Sequence, residues 1–121
     1  MSPAESIRDL IAPLLPAGLV LSFARIAGSP DPLKRYAVIK PAGGSNSDLV
    51  RRPLFTLDVL GLPNGDATQT ASIVEALVQR MRASAGGLVY LAPGEPSFTT
   101  SAEGRPVFTV AIAAITETEP A

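Results

Sequence analysis

Val50-Arg51-Arg52-Pro53-Leu54-Phe55-Thr56-Leu57-Asp58-Val59-Leu60, the turn Gly61-Leu62-Pro63-Asn64-Gly65 and the run from Asp66 to Arg82 decide the fold. Phe55, Leu57 and Val59 alternate with Thr56 and Asp58, the period of a strand with one buried face. Pro53 has no N–H to give to a ladder, so it predicts the strand's first residue or an edge, and it biases Arg52 towards extended backbone. Arg51 and Arg52 therefore read as flanking the strand. The plain account is a pair of solvated charges guarding a strand end. The sharper one is contact with a partner subunit or nucleic acid.

After the turn, Asp66 is a good helix N-cap, and Gln69 three residues on completes a capping-box pattern. Ala67, Ala71, Val74, Leu77, Val78 and Met81 recur at helical spacing and predict the core-facing stripe. Thr68, Ser72, Glu75, Gln79, Arg80 and Arg82 take the polar side, with the two arginines where a cation suits the helix dipole. Gly86-Gly87 reads as a left-handed stop.

A chain of 121 residues predicts one domain, residues 1–121, large enough for a real core. With a net charge of −1, it lacks the electrostatic footprint of a dedicated nucleic-acid binder. The chain has no Cys and no His, which removes disulfides, thiolate and imidazole catalysis, His/Cys metal sites and a histidine pH switch. The N-terminus has no basic region ahead of an apolar core, so no signal peptide is expected. No apolar run reaches the ~20 residues of a membrane span, and no membrane partner is expected.

In chain order, Ser2 as cap, Pro3 at the first position and Glu5 at the third predict a helix. Its apolar face is Ile7, Leu10, Ile11, Leu14 and Leu15, with Pro13 tightening the last turn. Leu19 to Ile26 and Arg35 to Lys40 predict strands separated by a loop. Pro41 to Leu49 is small, polar and without periodicity, and predicts a long loop that a partner would order. Leu88 to Leu91 predicts a short strand, and Ser97 to Ser101 a polar one at an edge. Val107 to Ile115 predicts a long strand with both faces covered. The fold class is α+β: a mixed, mainly antiparallel sheet with two helices packed on it, in the order α-β-β-β-α-β-β-β. Arg52-Pro53-Leu54-Phe55-Thr56-Leu57 also matches Arg105-Pro106-Val107-Phe108-Thr109-Val110, which suggests a duplicated α-β-β-β unit.

No catalytic constellation emerges. Asp58 would need a second carboxylate beside it, and Asp9, Asp48, Glu75, Glu95 and Glu103 show no pairing motif. Gly43-Gly44-Ser45 is too short for a phosphate loop. A serine nucleophile would lack a histidine base. No nucleophile, base and orienting group come together in the sequence, and neither enzyme activity nor a cofactor or metal is expected. Arg25, Lys34, Arg35, Arg51 and Arg52 are basic, but aromatics are too scarce for a base-stacking platform.

Val50 to Val59 leading into the helix Asp66 to Arg82, together with Gly104-Arg105-Pro106-Val107-Phe108-Thr109-Val110, resembles the tail terminator (minor tail protein) family of long-tailed bacteriophages. The resemblance lies in the order of elements across most of the chain. It implies a structural virion protein that forms a ring, usually a hexamer, on the last ring of the tail tube. Such a ring stops polymerisation and joins the tail to head-completion (neck) proteins, with DNA passing through the lumen without sequence-specific contact. The location implied is the tail or neck of the virion, assembled in the host cytoplasm. Under that resemblance the subunit and partner contacts fall on Arg25, Arg35, Gly43, Gly44, Asn46, Asp48, Arg51, Arg52, Asp58 and Arg80, with Asp58 paired to an arginine of the next subunit. The alternatives are another head–tail joining or tube-forming tail protein, a small dimeric α+β ligand-binding module with a closed apolar pocket, and last an enzyme using carboxylates alone.

Overall fold

A computed structural model describes residues 3–26, 31–46, 50–83 and 89–117 of the chain. The elements run α1 (Pro3–Ile11), β1 (Leu19–Phe23), β2 (Arg35–Asn46), β3 (Val50–Leu60), α2 (Ala67–Arg82), β4 (Val89–Pro93), β5 (Ser97–Thr100) and β6 (Pro106–Glu117). The expected α+β class and element order hold. The six strands form one sheet in the order β1-β2-β3-β6-β4, with β5 also on β6. Only β1 and β2 run parallel; the remaining pairs are antiparallel.

Both helices lie on one face of this sheet. Ile7 and Ile11 of α1, and Val74, Leu77, Val78 and Met81 of α2, meet Ala37, Ile39, Phe55, Leu57, Val59, Leu91, Val110, Ile112 and Ala114. The alternation of β3 is why: Phe55, Leu57 and Val59 point to the helices, while Thr56 and Asp58 point away. Each fully buried aliphatic side chain here is worth roughly 1.5–3 kcal/mol, so the α2 stripe alone anchors the layer. Pro13 acts as expected: α1 ends at Ile11 and the chain tightens into a 3-10 turn over Ala12–Leu14. Asp66 caps α2 by accepting from the Thr68 N–H at 2.9 Å. Gln69 does not complete the capping box in the expected sense; its Oε1 accepts from Arg35 Nη2 at 2.6 Å, tying α2 to the start of β2. The Gly86-Gly87 stop lies outside the described residues.

Several expectations are corrected. The first strand ends at Phe23, not Ile26, because Ala24 takes a φ of 68° and turns the chain out of the ladder. Residues 41–46 are not loop but the second half of β2. Pro41 pairs with Phe55 and Gly44 with Pro53, so Ala42 and Gly43 together face Leu54, a one-residue bulge. Gly43 and Gly44 supply it with φ values of 86° and 133°. The sequence pattern hid this because a bulge breaks the two-residue period.

The bulge also explains Pro53. It sits inside the central strand, three residues after Val50, and not at a strand start or sheet edge. It is tolerated where the β2–β3 register shifts and where the paired positions of β3 and β6 skip from Arg51 to Leu54. Arg51 and Arg52 accordingly lie within β3, opposite Asn46 and Ser45, rather than flanking it.

β6 is the spine of the second half, pairing with β3 on one side and with β4 and β5 on the other. Pro93 pairs with Ile112 and Ser97 with Thr109, so β4 and β5 are one broken strand with a single extra residue in the break. Gly94 bridges it by donating to the Ala111 carbonyl at 2.7 Å. The second face of β6 is not covered throughout as expected: Val107 is buried, but Ala111 is exposed and Thr109 and Ala113 are half-buried. The duplication fails on pairing. β1, β2 and β3 lie side by side, whereas β4 and β5 lie end to end on β6. The two Arg-Pro pairs differ as well, one inside a strand and the other at a strand's entry.

Candidate interface surfaces

The side chains with the most demanding local chemistry gather where three turns meet beside the start of β6. Arg105 is fully buried there. Its Nη1 donates to the carbonyls of Lys34 at 2.8 Å and Gly61 at 3.1 Å, and its Nη2 to the carbonyl of Asp31 at 2.8 Å. The guanidinium lies 5.4 Å from the centroid of the Tyr36 ring. Tyr36 in turn accepts from the Asp31 N–H at 2.7 Å through its hydroxyl. Among the described residues Arg105 Nε has no hydrogen-bond partner; Glu103 Oε1, at 3.9 Å, is too far to accept but close enough to balance charge. One arginine thus fastens the 31–34 turn, the β3–α2 turn and the β5–β6 turn together. From sequence, Arg105 stood out only within the apparent repeat and within the stretch that carries the family resemblance, not as a buried group. The missed signal is the Arg-Pro step after Glu103-Gly104, where Gly104 has a φ of 80° and its carbonyl accepts from the Asn64 N–H at 2.9 Å.

The turn that Arg105 holds is rigid at its base and bare at its tip. Asp31 Oδ1 accepts from the Leu33 N–H at 2.8 Å, and the Asp31 carbonyl accepts from the Lys34 N–H at 3.1 Å. Leu33 itself is 86% exposed.

On the sheet face away from the helices, Asp58 lies at the centre. Lys40 Nζ is 2.7 Å from its Oδ2, and Thr109 Oγ1 donates to its Oδ1 at 2.8 Å. Both carboxylate oxygens are therefore engaged within the chain by the strands on either side. The expectation of an arginine partner from the next subunit meets a carboxylate that already has a cation, because β2 brings Lys40 alongside it.

The other expected contact residues spread over the molecule rather than converging. Arg25 is exposed just past β1, donating its N–H to the Phe23 carbonyl at 2.8 Å. Arg35 is half-buried against Gln69. Gly43 and Gly44 are exposed at the bulge, with Asn46, Arg51 and Arg52 in the ladder beyond it. Arg80 is exposed on α2. Asp48 lies outside the described residues. Gly43, Gly44, Asn46, Arg51 and Arg52 thus share the far end of the β2–β3 hairpin, while Arg25, Arg35 and Arg80 do not.

A groove of about 380 Å³, open to solvent, runs between α1 and β1. Ala4, Arg8, Leu21, Phe23 and Ile39 line it. Among the described residues no cluster of acids suits a metal ion, and no helix is long and apolar enough to cross a membrane.

The family model described as phage tail termination protein matches residues 18–118, from just before β1 to just beyond β6, and the chain belongs to that family. This gives it a structural role in a phage tail. No curated protein matches the chain.

Proposed function

We propose that the protein forms a ring that caps the tail tube, ends its polymerisation and presents a surface to the neck proteins. The observation that carries this reading is the family match across the whole sheet and α2. The surface agrees with it. Among the described residues the sheet leaves one face without a helical layer, and β1, β4 and β5 have a neighbouring strand on one side only. Work done through interfaces needs such surfaces and needs no catalytic cluster. In this reading the ring is a homohexamer, its lumen passes DNA without base contacts, and the protein resides at the head-proximal end of the tail. The hairpin end that carries Gly43, Gly44, Asn46, Arg51 and Arg52 contacts a neighbour, and Asp48 is among the expected contacts. Arg25, Arg35, Asp58 and Arg80 complete the expected contacts.

The test is native mass and negative-stain imaging of the purified protein, followed by its addition to polymerising tail tube protein. A closed ring with a central hole, and tubes that stop growing when it is added, are the expected results. Tubes that grow to the same length with and without it would reject the capping role. A dimer with no hole would point instead to the ligand-binding alternative, although the α1–β1 groove is open and not the closed pocket such a module needs.

A further inference from the structure

The sheet ends in two edges that fit each other. β1 forms one and β5 contributes to the other. Natural sheets guard exposed edges with charged residues or prolines, since bare N–H and C=O groups template pairing with another chain. Neither strand carries such a guard: β1 is Leu-Val-Leu-Ser-Phe and β5 is Ser-Phe-Thr-Thr. Both carry an exposed aromatic, Phe23 at 56% and Phe98 at 55% exposure.

Register aligns the two edges. Leu21 pairs with Ala37, Ala37 with Val59, Val59 with Phe108 and Phe108 with Phe98. One row of side chains thus crosses the helix-covered face from the groove edge to Phe98. Phe98 packs on Phe108 with ring centroids 5.1 Å apart, which fixes it on the same face as the groove. Strand direction agrees as well. β1 runs parallel to β2, and β5 runs opposite to it after three antiparallel steps. A second copy continuing the sheet therefore meets β1 with an antiparallel β5.

We infer that β5 of one copy adds antiparallel to β1 of the next, with Phe98 seated in the groove between α1 and β1 against Leu21, Phe23 and Ile39. The inference rests on the ring reading and specifies its subunit contact. The occupant is a second copy because knob and groove lie on opposite edges of one chain, level with each other, so the contact is head-to-tail. Main-chain bonds supply affinity and the aromatic supplies register, as in strand addition generally. The break at Gly94–Pro96, with Arg82 paired to Glu95 at 3.0 Å beside it, limits continuous pairing to the four residues of β5. A single contact of that length is weak, and closure of a ring adds the cooperativity it needs.

Phe98→Asp and Phe23→Asp change exposed positions, one on each edge, and the fold of each variant is checked by circular dichroism and melting temperature. Each variant should lose self-association by ~30-fold or more, the scale of an aromatic hot spot. Mixed together, the two should form a dimer and stop, since one intact knob meets one intact groove. The chain has no Cys, so Ser22→Cys and Ser97→Cys give a clean second test on the opposite face of the same pairing. Mixed single-cysteine proteins should oxidise to a cross-linked heterodimer faster than either alone. Rings that persist in both Asp variants would overturn the edge contact and leave the ring reading standing. A cross-linked heterodimer from the mixed cysteine variants, with no closed rings of the unmodified protein, would keep the edge contact and overturn the ring. Absence of both rings and cross-links would overturn both.

Discussion

Arg105 and Gly61 are joined across 44 residues of chain by a 3.1 Å hydrogen bond from Nη1 to the Gly61 carbonyl. The reverse link lies one residue on, where the Gly61 N–H donates to the Pro106 carbonyl at 2.9 Å. Together they set the angle at which the chain leaves β3 and enters α2, and so set how α2 lies on the sheet.

Arg105→Ala should destabilise the protein by about 3–5 kcal/mol, because it strips a buried cation from three carbonyls at once. Arg105→Lys should recover little of this, since one ammonium cannot reproduce the guanidinium fork. Urea unfolding gives the result directly; a midpoint unchanged in Arg105→Ala would mean that the three turns are held by something else.

Gly61→Ala places a methyl 2.5 Å from Thr70 Oγ1 and 2.7 Å from Pro106 Cγ, both in buried residues. Proline cannot swing away, so the cost should be about 1–3 kcal/mol, the usual scale of overpacking. Thermal unfolding should show it, and adding Thr70→Ala should relieve only part of it.

Gly43→Ala is a different case, with open space around the new methyl but a φ of 86°. The penalty is backbone strain alone, about 1–2 kcal/mol. Hydrogen exchange should localise the loss to the end of the β2–β3 hairpin, with the core amides of β6 unaffected.

Asp58→Asn should cost no more than about 1 kcal/mol, because its partner Lys40 is nearly half exposed and screened by water. The variant therefore separates folding from assembly. A ring that fails to form in Asp58→Asn while unfolding stays near the wild type would assign the open sheet face to a subunit or neck contact.

The elements with a clean period were legible from sequence. α2 followed from Val74, Leu77, Val78 and Met81 at helical spacing, and its start from Asp66. β3 followed from Phe55, Leu57 and Val59, although its start was placed too late because Pro53 argued for a boundary. The second half of β2 was read as loop because Gly43 and Gly44 replace alternation with a bulge. Arg105 escaped notice because nothing in its neighbours in sequence says that carbonyls from residues 31, 34 and 61 will converge on it.

By itself the sequence determined the class of fold, the face that β3 and α2 bury and the absence of histidine and cysteine chemistry, because side-chain period and residue type are local properties. Only the tertiary structure decided that Pro53 lies in a central strand, that Lys40 and Thr109 hold Asp58, and that Arg105 is core. Each depends on which strands become neighbours and in what register, and pairing between distant segments is set by the packing of the whole sheet against its helices.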